Sequence, residues 1–235
     1  GRLQAVGCDQ HKQANDGMID EIVAGYAAAA RRLHQAGIDG VEVVASHGYL
    51  PAQFINPRVN RRTDGYNGDL EQRLRFLREV IACVRANTDE QFIIGLRISA
   101  DERDPEGLTE DESLLAVQAL QGELDYVHIV AGTSASLGGA VHIVPPMAIE
   151  AAYLAKNAGL FKSKLSIPLF VTGRINAPQE AELIVARGQA GGVTINLPDE
   201  TREGRTKGEF EDIIAMALGG RIAELLVYGE INTGA

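Results

Sequence analysis

The chain has 235 residues, with 22 Lys and Arg against 32 Asp and Glu, giving a net charge of −10. That acidic balance argues against nucleic acid or an anionic membrane as partner, because both require a positive surface. The length suffices for one domain with a sizeable core, and no apolar run approaches the ~18 residues of a membrane span.

Residues 1–15 are polar and unpatterned, and read as a lead-in loop without the apolar centre of a signal peptide. Asp16 is the expected N-cap of a helix in which Met18, Ile22, Tyr26, Ala29, Ala30 and Leu33 recur at helical spacing up to Gly37, a typical C′ residue. The run at 41–45, bounded by Gly40 and Gly48, reads as a strand buried on both faces. A polar loop of about 20 residues follows, long enough to suggest function. A second helix starts near Leu70, capped by Asp69, with Leu74, Leu77, Ile81 and Val84 on one face. Further strands are expected at 92–98, 126–131 and 167–172. Helices are expected at 108–121, at 147–157 behind Pro145-Pro146, and at 177–187 with Pro178 in the first turn. Four βα units in succession predict an α/β protein, either a (β/α) barrel or an open parallel sheet. Cys8 and Cys83 lack metal-ligand spacing and read as free thiols of a cytoplasmic protein.

In parallel sheets, chemistry collects at the carboxyl ends of the strands. His47 and Tyr49 stand at such an end. An imidazole there exchanges hydrogen bonds with a ligand near neutral pH, and a phenol serves as a general acid. The alternative for each is structural: a His satisfied by its own loop, and a Tyr packed on the strand end. Arg97 interrupts an apolar strand and needs a partner, either a ligand or Glu42. Gly173 and Arg174 close the fourth strand, where a glycine admits a phosphate to the backbone and an arginine grips it. His128 has the parity of Tyr126 and Val130 and reads as a core-lining residue.

These segments also carry ordered motifs. Ala-Gly-x-Asp-Gly-Val-Glu-Val, His-Gly-Tyr-Leu-x-x-Gln-Phe, Asn-Arg-Arg-Thr-Asp-x-Tyr-x-Gly and Leu-Glu-x-Arg-x-Arg-Phe run through 35–76. Together they resemble the old yellow enzyme family of FMN-dependent oxidoreductases, and are most similar to its trimethylamine dehydrogenase and 2,4-dienoyl-CoA reductase branch. The resemblance implies a partial TIM-type barrel over residues 1–190, corresponding to about strands four to seven of eight. It implies FMN as cofactor, a small-molecule substrate held by His47, and proton transfer by Tyr49. Arg97 would meet the flavin N1 and O2 edge, and Gly173 and Arg174 its phosphate. The reaction implied is hydride transfer between flavin N5 and either an amine or an enone. Val44 occupies the position three before His47, where the family usually has a second polar residue, and this favours amines. The alternative is a non-catalytic half-barrel that self-associates as a homo-oligomer to cover its open face and edges.

Residues 191–235 change character. Leu218-Gly219-Gly220-Arg221-Ile222-Ala223-Glu224 and Gly229-Glu230-Ile231-Asn232-Thr233-Gly234-Ala235 resemble part of the peptidase domain of membrane-anchored AAA+ zinc proteases. The His-Glu-x-x-His helix of that family is absent, so no metal site is expected. Glu209 to Tyr228 reads as an amphipathic helix in a helical C-terminal tail.

Overall fold

The computed structural model describes residues 14–186 and 192–193, all within the first of the two units into which the chain divides, Gly1–Asn196. The polar lead-in through residue 13, Cys8 and the tail helix expected over 209–228 lie outside the described residues. The elements run α1 (Asp16–Gln35), β1 (Gly40–Ala45), α2 (Leu50–Ile55), α3 (Leu70–Ala86), β2 (Ile93–Asp101), α4 (Glu110–Leu120) and a 3₁₀ turn at Gln121–Glu123. They continue with β3 (Tyr126–Ala131), α5 (Leu137–Ala140), α6 (Ala155–Lys164), β4 (Leu169–Val171), α7 (Pro178–Ala186) and β5 (Gly192–Val193).

All five strands are parallel, and their order in the sheet is their order in the chain. Right-handed crossovers between successive neighbours carry the connecting helices to one face. Alternation then sorts the side chains. Val43, Ala45, Ile94, Leu96, Ile98, Val127, Ile129, Leu169 and Val171 lie in the core shared with α3, α4 and α6. The opposite face carries Glu42 beside Gly95 and Tyr126 in one row, and Val44, Arg97, His128 and Phe170 in the next.

Capping places the helices. Asp69 and Gln72 form a reciprocal capping box at α3, and Thr109 and Glu112 form another at α4. At α1 the cap is Asn15, not Asp16: its side-chain oxygen accepts the Met18 N–H at 3.0 Å. The buried face of α1 is also rotated from the expected one. Ile19, Ala27 and Ala30 are buried, while Met18 and Leu33 are exposed. The four predicted positions of α3 are all buried.

Two loops depart from expectation. The long loop after β1 contains α2, which has Pro51 in its first turn. Six residues are too few for a periodic signal. Its remainder is fixed by Asn60, whose amide donates to the Phe54 and Tyr66 carbonyls, both at 2.8 Å. The helix expected at 147–157 is absent, and α6 begins only at Ala155. The reason is tertiary. Arg174 Nη1 takes the carbonyls of Pro146, Met147 and Ile149, and Ala152 at φ 52° cannot continue a right-handed helix.

Candidate functional site

The loops after β1, β2, β3 and β4 meet at the carboxyl ends of the strands. His47 sits there at φ 60°, in the left-handed region, followed by Gly48 at φ 76°. Three contacts hold the turn. The His47 N–H donates to Ser99 Oγ at 3.0 Å, Ser99 Oγ donates to the Gly132 carbonyl at 2.9 Å, and the His47 carbonyl accepts the Ser134 N–H at 3.0 Å. His47 is thereby tied to β2 and β3 at once.

The ring of His47 has a defined tautomer. Its Nδ1 lies 3.3 Å from the Gly132 carbonyl, which only accepts, so Nδ1 carries the proton. Burial, with the nearby Arg97 charge, lowers its pKa against the pull of the Gly132 and Ala131 carbonyls. The neutral imidazole therefore presents Nε2 as an acceptor, and Nε2 has no partner among the described residues. Tyr49 is 53% exposed, with its ring edge-on to His47 at a centroid distance of 6.1 Å.

Arg97 lies on the open face of the sheet. Its Nε donates to Glu42 Oε1 at 2.6 Å, while its two terminal nitrogens have no partner among the described residues. Glu42 is the hub of this face. Its Oε2 accepts the Tyr126 hydroxyl at 3.0 Å and lies 3.1 Å from His128 Nδ1. His128 Nε2 in turn meets Thr172 Oγ1 at 2.6 Å, so side chains from β1, β2, β3 and the end of β4 form one network. Burial alone would raise the Glu42 carboxyl. The His128 hydrogen bond and charge, the Arg97 charge and the Tyr126 hydroxyl outweigh it and hold the group below the usual carboxylate range. Tyr126 is pushed up to about 12 by burial and by Glu42, so it stays protonated and donates.

Gly173 at φ 147° and Arg174 at φ 52° follow β4. The guanidinium of Arg174 is engaged through Nη1 with the 146–149 turn. The two successive backbone N–H groups have no partner among the described residues, an arrangement that suits an anion. In the structure His47 and Tyr49 lie together, and Arg97 pairs in register with Val44, three residues before His47. Gly173 and Arg174 lie two strands along from Arg97. The Arg97–Glu42 ion pair is the alternative the sequence offered for Arg97, and the structure forms it; sequence reading missed Tyr126, His128 and Thr172 around Glu42, and Ser99. An acidic residue inside an apolar strand, at the parity of Arg97 and His128, was the available signal. A cleft of about 380 Å³ lined by Glu150, Tyr153, Lys156 and Glu180 contains none of these residues.

Among the described residues no cluster of His, Cys, Asp and Glu is placed to hold a metal, and no helix is long and apolar enough to cross a membrane. FMN fits the donor set at two points: the unpaired guanidinium nitrogens of Arg97 suit its pyrimidine edge, and the adjacent N–H groups at 173 and 174 suit a phosphate.

Known proteins match this chain over most of its length. A metal reductase from Desulforamulus reducens is 38% identical over 174 residues, 73% of this chain and 25% of that protein. An N,N-dimethylglycine/sarcosine dehydrogenase from Chromohalobacter salexigens is 33% identical over 172 residues, 72% of this chain and 25% of that protein. The solved structure of a 2-naphthoyl-CoA reductase superposes with a TM-score of 0.73 at 27% identity, covering 78% of this chain and 28% of that one. The chain therefore spans about a quarter of the length of these relatives. Residues 177–235 also match Peptidase family M41, a short stretch that adds little. The NADH:flavin oxidoreductase / NADH oxidase family matches residues 4–196, and the chain belongs to that family.

Proposed function

We propose that the parallel sheet is an arc of an eight-stranded (β/α) barrel, with β1 to β4 corresponding to about strands four to seven and β5, at 192–193, lying just past the boundary at 190 expected from the sequence. The arc carries one side of an FMN site in an oxidoreductase that acts on small amines, of the dehydrogenase or demethylase type. The observation that carries the amine reading is the hydrogen bond from His47 Nδ1 to the Gly132 carbonyl. It leaves Nε2 as an acceptor, which suits a substrate N–H and does not suit a carbonyl oxygen. An enone reductase needs donors at that oxygen. Val44, three residues before His47, supplies none. The similarity to a dimethylglycine/sarcosine dehydrogenase supports the same substrate class.

When bound, FMN supplies the two-electron acceptor for a hydride from the carbon beside the amine nitrogen. The chain supplies the rest. Arg97 sets a fixed positive charge at the pyrimidine edge, where negative charge accumulates on reduction. His47 Nε2 accepts the substrate N–H and orients the adjacent C–H bond. The exposed Tyr49 hydroxyl is free to pass a proton between substrate and solvent. The backbone at 173 and 174 takes part of the phosphate.

The test is the visible spectrum of the purified chain, an FMN titration, and anaerobic addition of a secondary N-methyl amine to the oxidised protein and of cyclohexenone to the reduced protein. The expected result is a yellow protein bleached by the amine. Re-oxidation by the enone with no response to amines refutes the amine reading. A colourless chain that ignores added FMN refutes the cofactor site and favours the self-associating, non-catalytic arc.

A further inference from the structure

The network on the open face of the sheet extends the flavin reading and rests on it. We propose that Glu42 is the positioning residue and counter-charge for Arg97, holding the guanidinium by Nε so that both terminal nitrogens face the pyrimidine edge of FMN.

The geometry supports this in three steps. First, Glu42 touches Arg97 at one nitrogen only. A bidentate pair would consume Nη as well as Nε and leave less of the fork for a ligand; here Oε1 takes Nε at 2.6 Å and Oε2 turns away to Tyr126 and His128. Second, Glu42 is itself held in place. Its side chain is 18% exposed and bonded to two side chains of β3, so it has little freedom to follow Arg97 or to solvate separately. Third, the charge is asymmetric. The Arg97 side chain is 39% exposed while its counter-ion is 18% exposed, so the cation is the part more accessible to a ligand. Glu42 does not touch the ligand in this arrangement. It acts through Arg97, by fixing the direction of the fork and by offsetting part of its charge.

Two substitutions separate these effects. Glu42→Gln keeps the shape and the acceptor oxygen for Nε but removes the negative charge. The uncompensated Arg97 then favours the reduced, anionic ring, and the affinity ratio of reduced to oxidised FMN rises about tenfold. For a two-electron couple that is an upward shift of about 30 mV in midpoint potential. Glu42→Ala removes the anchor, so oxidised FMN binds about tenfold more weakly, in keeping with what supporting residues around a bound group typically contribute. Both measurements are repeated in an Arg97→Met background, where the effect of Glu42→Gln on the potential should vanish, as a double-mutant cycle requires. The resonance of the Arg97 Nε–H gives a reading that does not depend on flavin. It should be protected from exchange in the unsubstituted chain and in Glu42→Gln, and lost in Glu42→Ala. An unchanged potential in Glu42→Gln, or a shift that persists without Arg97, overturns this inference alone. Failure of the unsubstituted chain to bind FMN overturns the flavin reading and this inference with it.

Discussion

Ser99→Ala tests the way the site is held together. Ser99 Oγ is fully buried, accepts the His47 N–H and donates to the Gly132 carbonyl. Alanine leaves that N–H without a partner, whereas the Gly132 carbonyl keeps His47 Nδ1–H. One orphaned buried donor costs about 1–3 kcal/mol. His47 in the left-handed region holds a further strain of about 1–3 kcal/mol that its surroundings must overcome. We expect a loss near 2 kcal/mol, read as a lower urea midpoint at unchanged m value, with faster amide exchange at 47 and 134. Ser46→Ala is the matched control. Ser46 is equally buried, one residue from His47, and its Oγ has no hydrogen-bond partner. Removing it frees a desolvated hydroxyl, so the change should fall within about 0.5 kcal/mol of zero or stabilise. Equal losses in the two variants would refute the claim that Ser99 bonding, and not burial of a small side chain, secures the turn.

Two further predictions concern pH and have opposite signs. Glu102, 3% exposed, is raised above its ordinary 4.5 by burial, which the Leu108 and Gly48 N–H groups offset only in part; Asp104 adds to the rise and Arg58 opposes it. The folded chain therefore keeps this proton to higher pH than the unfolded one, and the contribution of the group declines as pH rises from 4.5 through the raised value. Glu102→Gln should flatten that decline and stabilise the chain at pH 7 in urea unfolding; a pH profile identical to that of the unsubstituted chain would refute this. Glu112 is held at about 2, first by its hydrogen bond from Arg58. Its contribution is present above 4.5 and is lost as pH falls towards about 2. Glu112→Gln should destabilise at pH 7 by about 1–3 kcal/mol, the range of a hydrogen bond to a charged group, and converge on the unsubstituted chain at pH 2. A loss that persists at pH 2 would refute it.

How much of this was legible in the sequence follows from how local each determinant is. The caps at Asp69 and the core positions of α3 are set within one or two turns and were readable. The strand at 126–131 was readable to the residue, because a short run rich in β-branched residues is bounded by Asp125 and Gly132, with His128 at the parity of Tyr126 and Val130. The rotation of α1 was not, since Met18 and Ile19 are both apolar and only the neighbouring helix decides which is covered. The missing helix at 147–157 was beyond local reasoning altogether. Its propensity is overridden by Arg174, 25 or more residues away, which draws off the carbonyls a helix would need. The site divides the same way. His47 and Tyr49 are neighbours in sequence, while Glu42, His128 and Thr172 meet only through strand register.

Register also explains where the strain lies. Among the described residues, four non-glycine residues have positive φ: His47, Arg103, Ala152 and Arg174. His47, Arg103 and Arg174 lie two or three residues past the ends of β1, β2 and β4, and Ala152 lies in the loop after β3, so all four are at the carboxyl end of the sheet. At the amino end, the reversal between α1 and β1 uses Gly37, which reaches φ 82° without steric cost. A turn that only has to reverse the chain needs no side chain, and glycine is the cheaper solution. Three of the four left-handed residues put their side chains to use, and Ala152 its backbone N–H. His47 reaches back to Gly132, Arg103 to Asp101 at 3.6 Å, and Arg174 to the 146–149 turn, which Ala152 completes by donating its N–H to the Arg174 carbonyl at 2.9 Å. The His47 and Arg174 contacts therefore run between loops, while that of Arg103 closes on the end of its own strand. For His47 the result is a turn anchored on both neighbouring strands, through Ser99 and through the residues after β3.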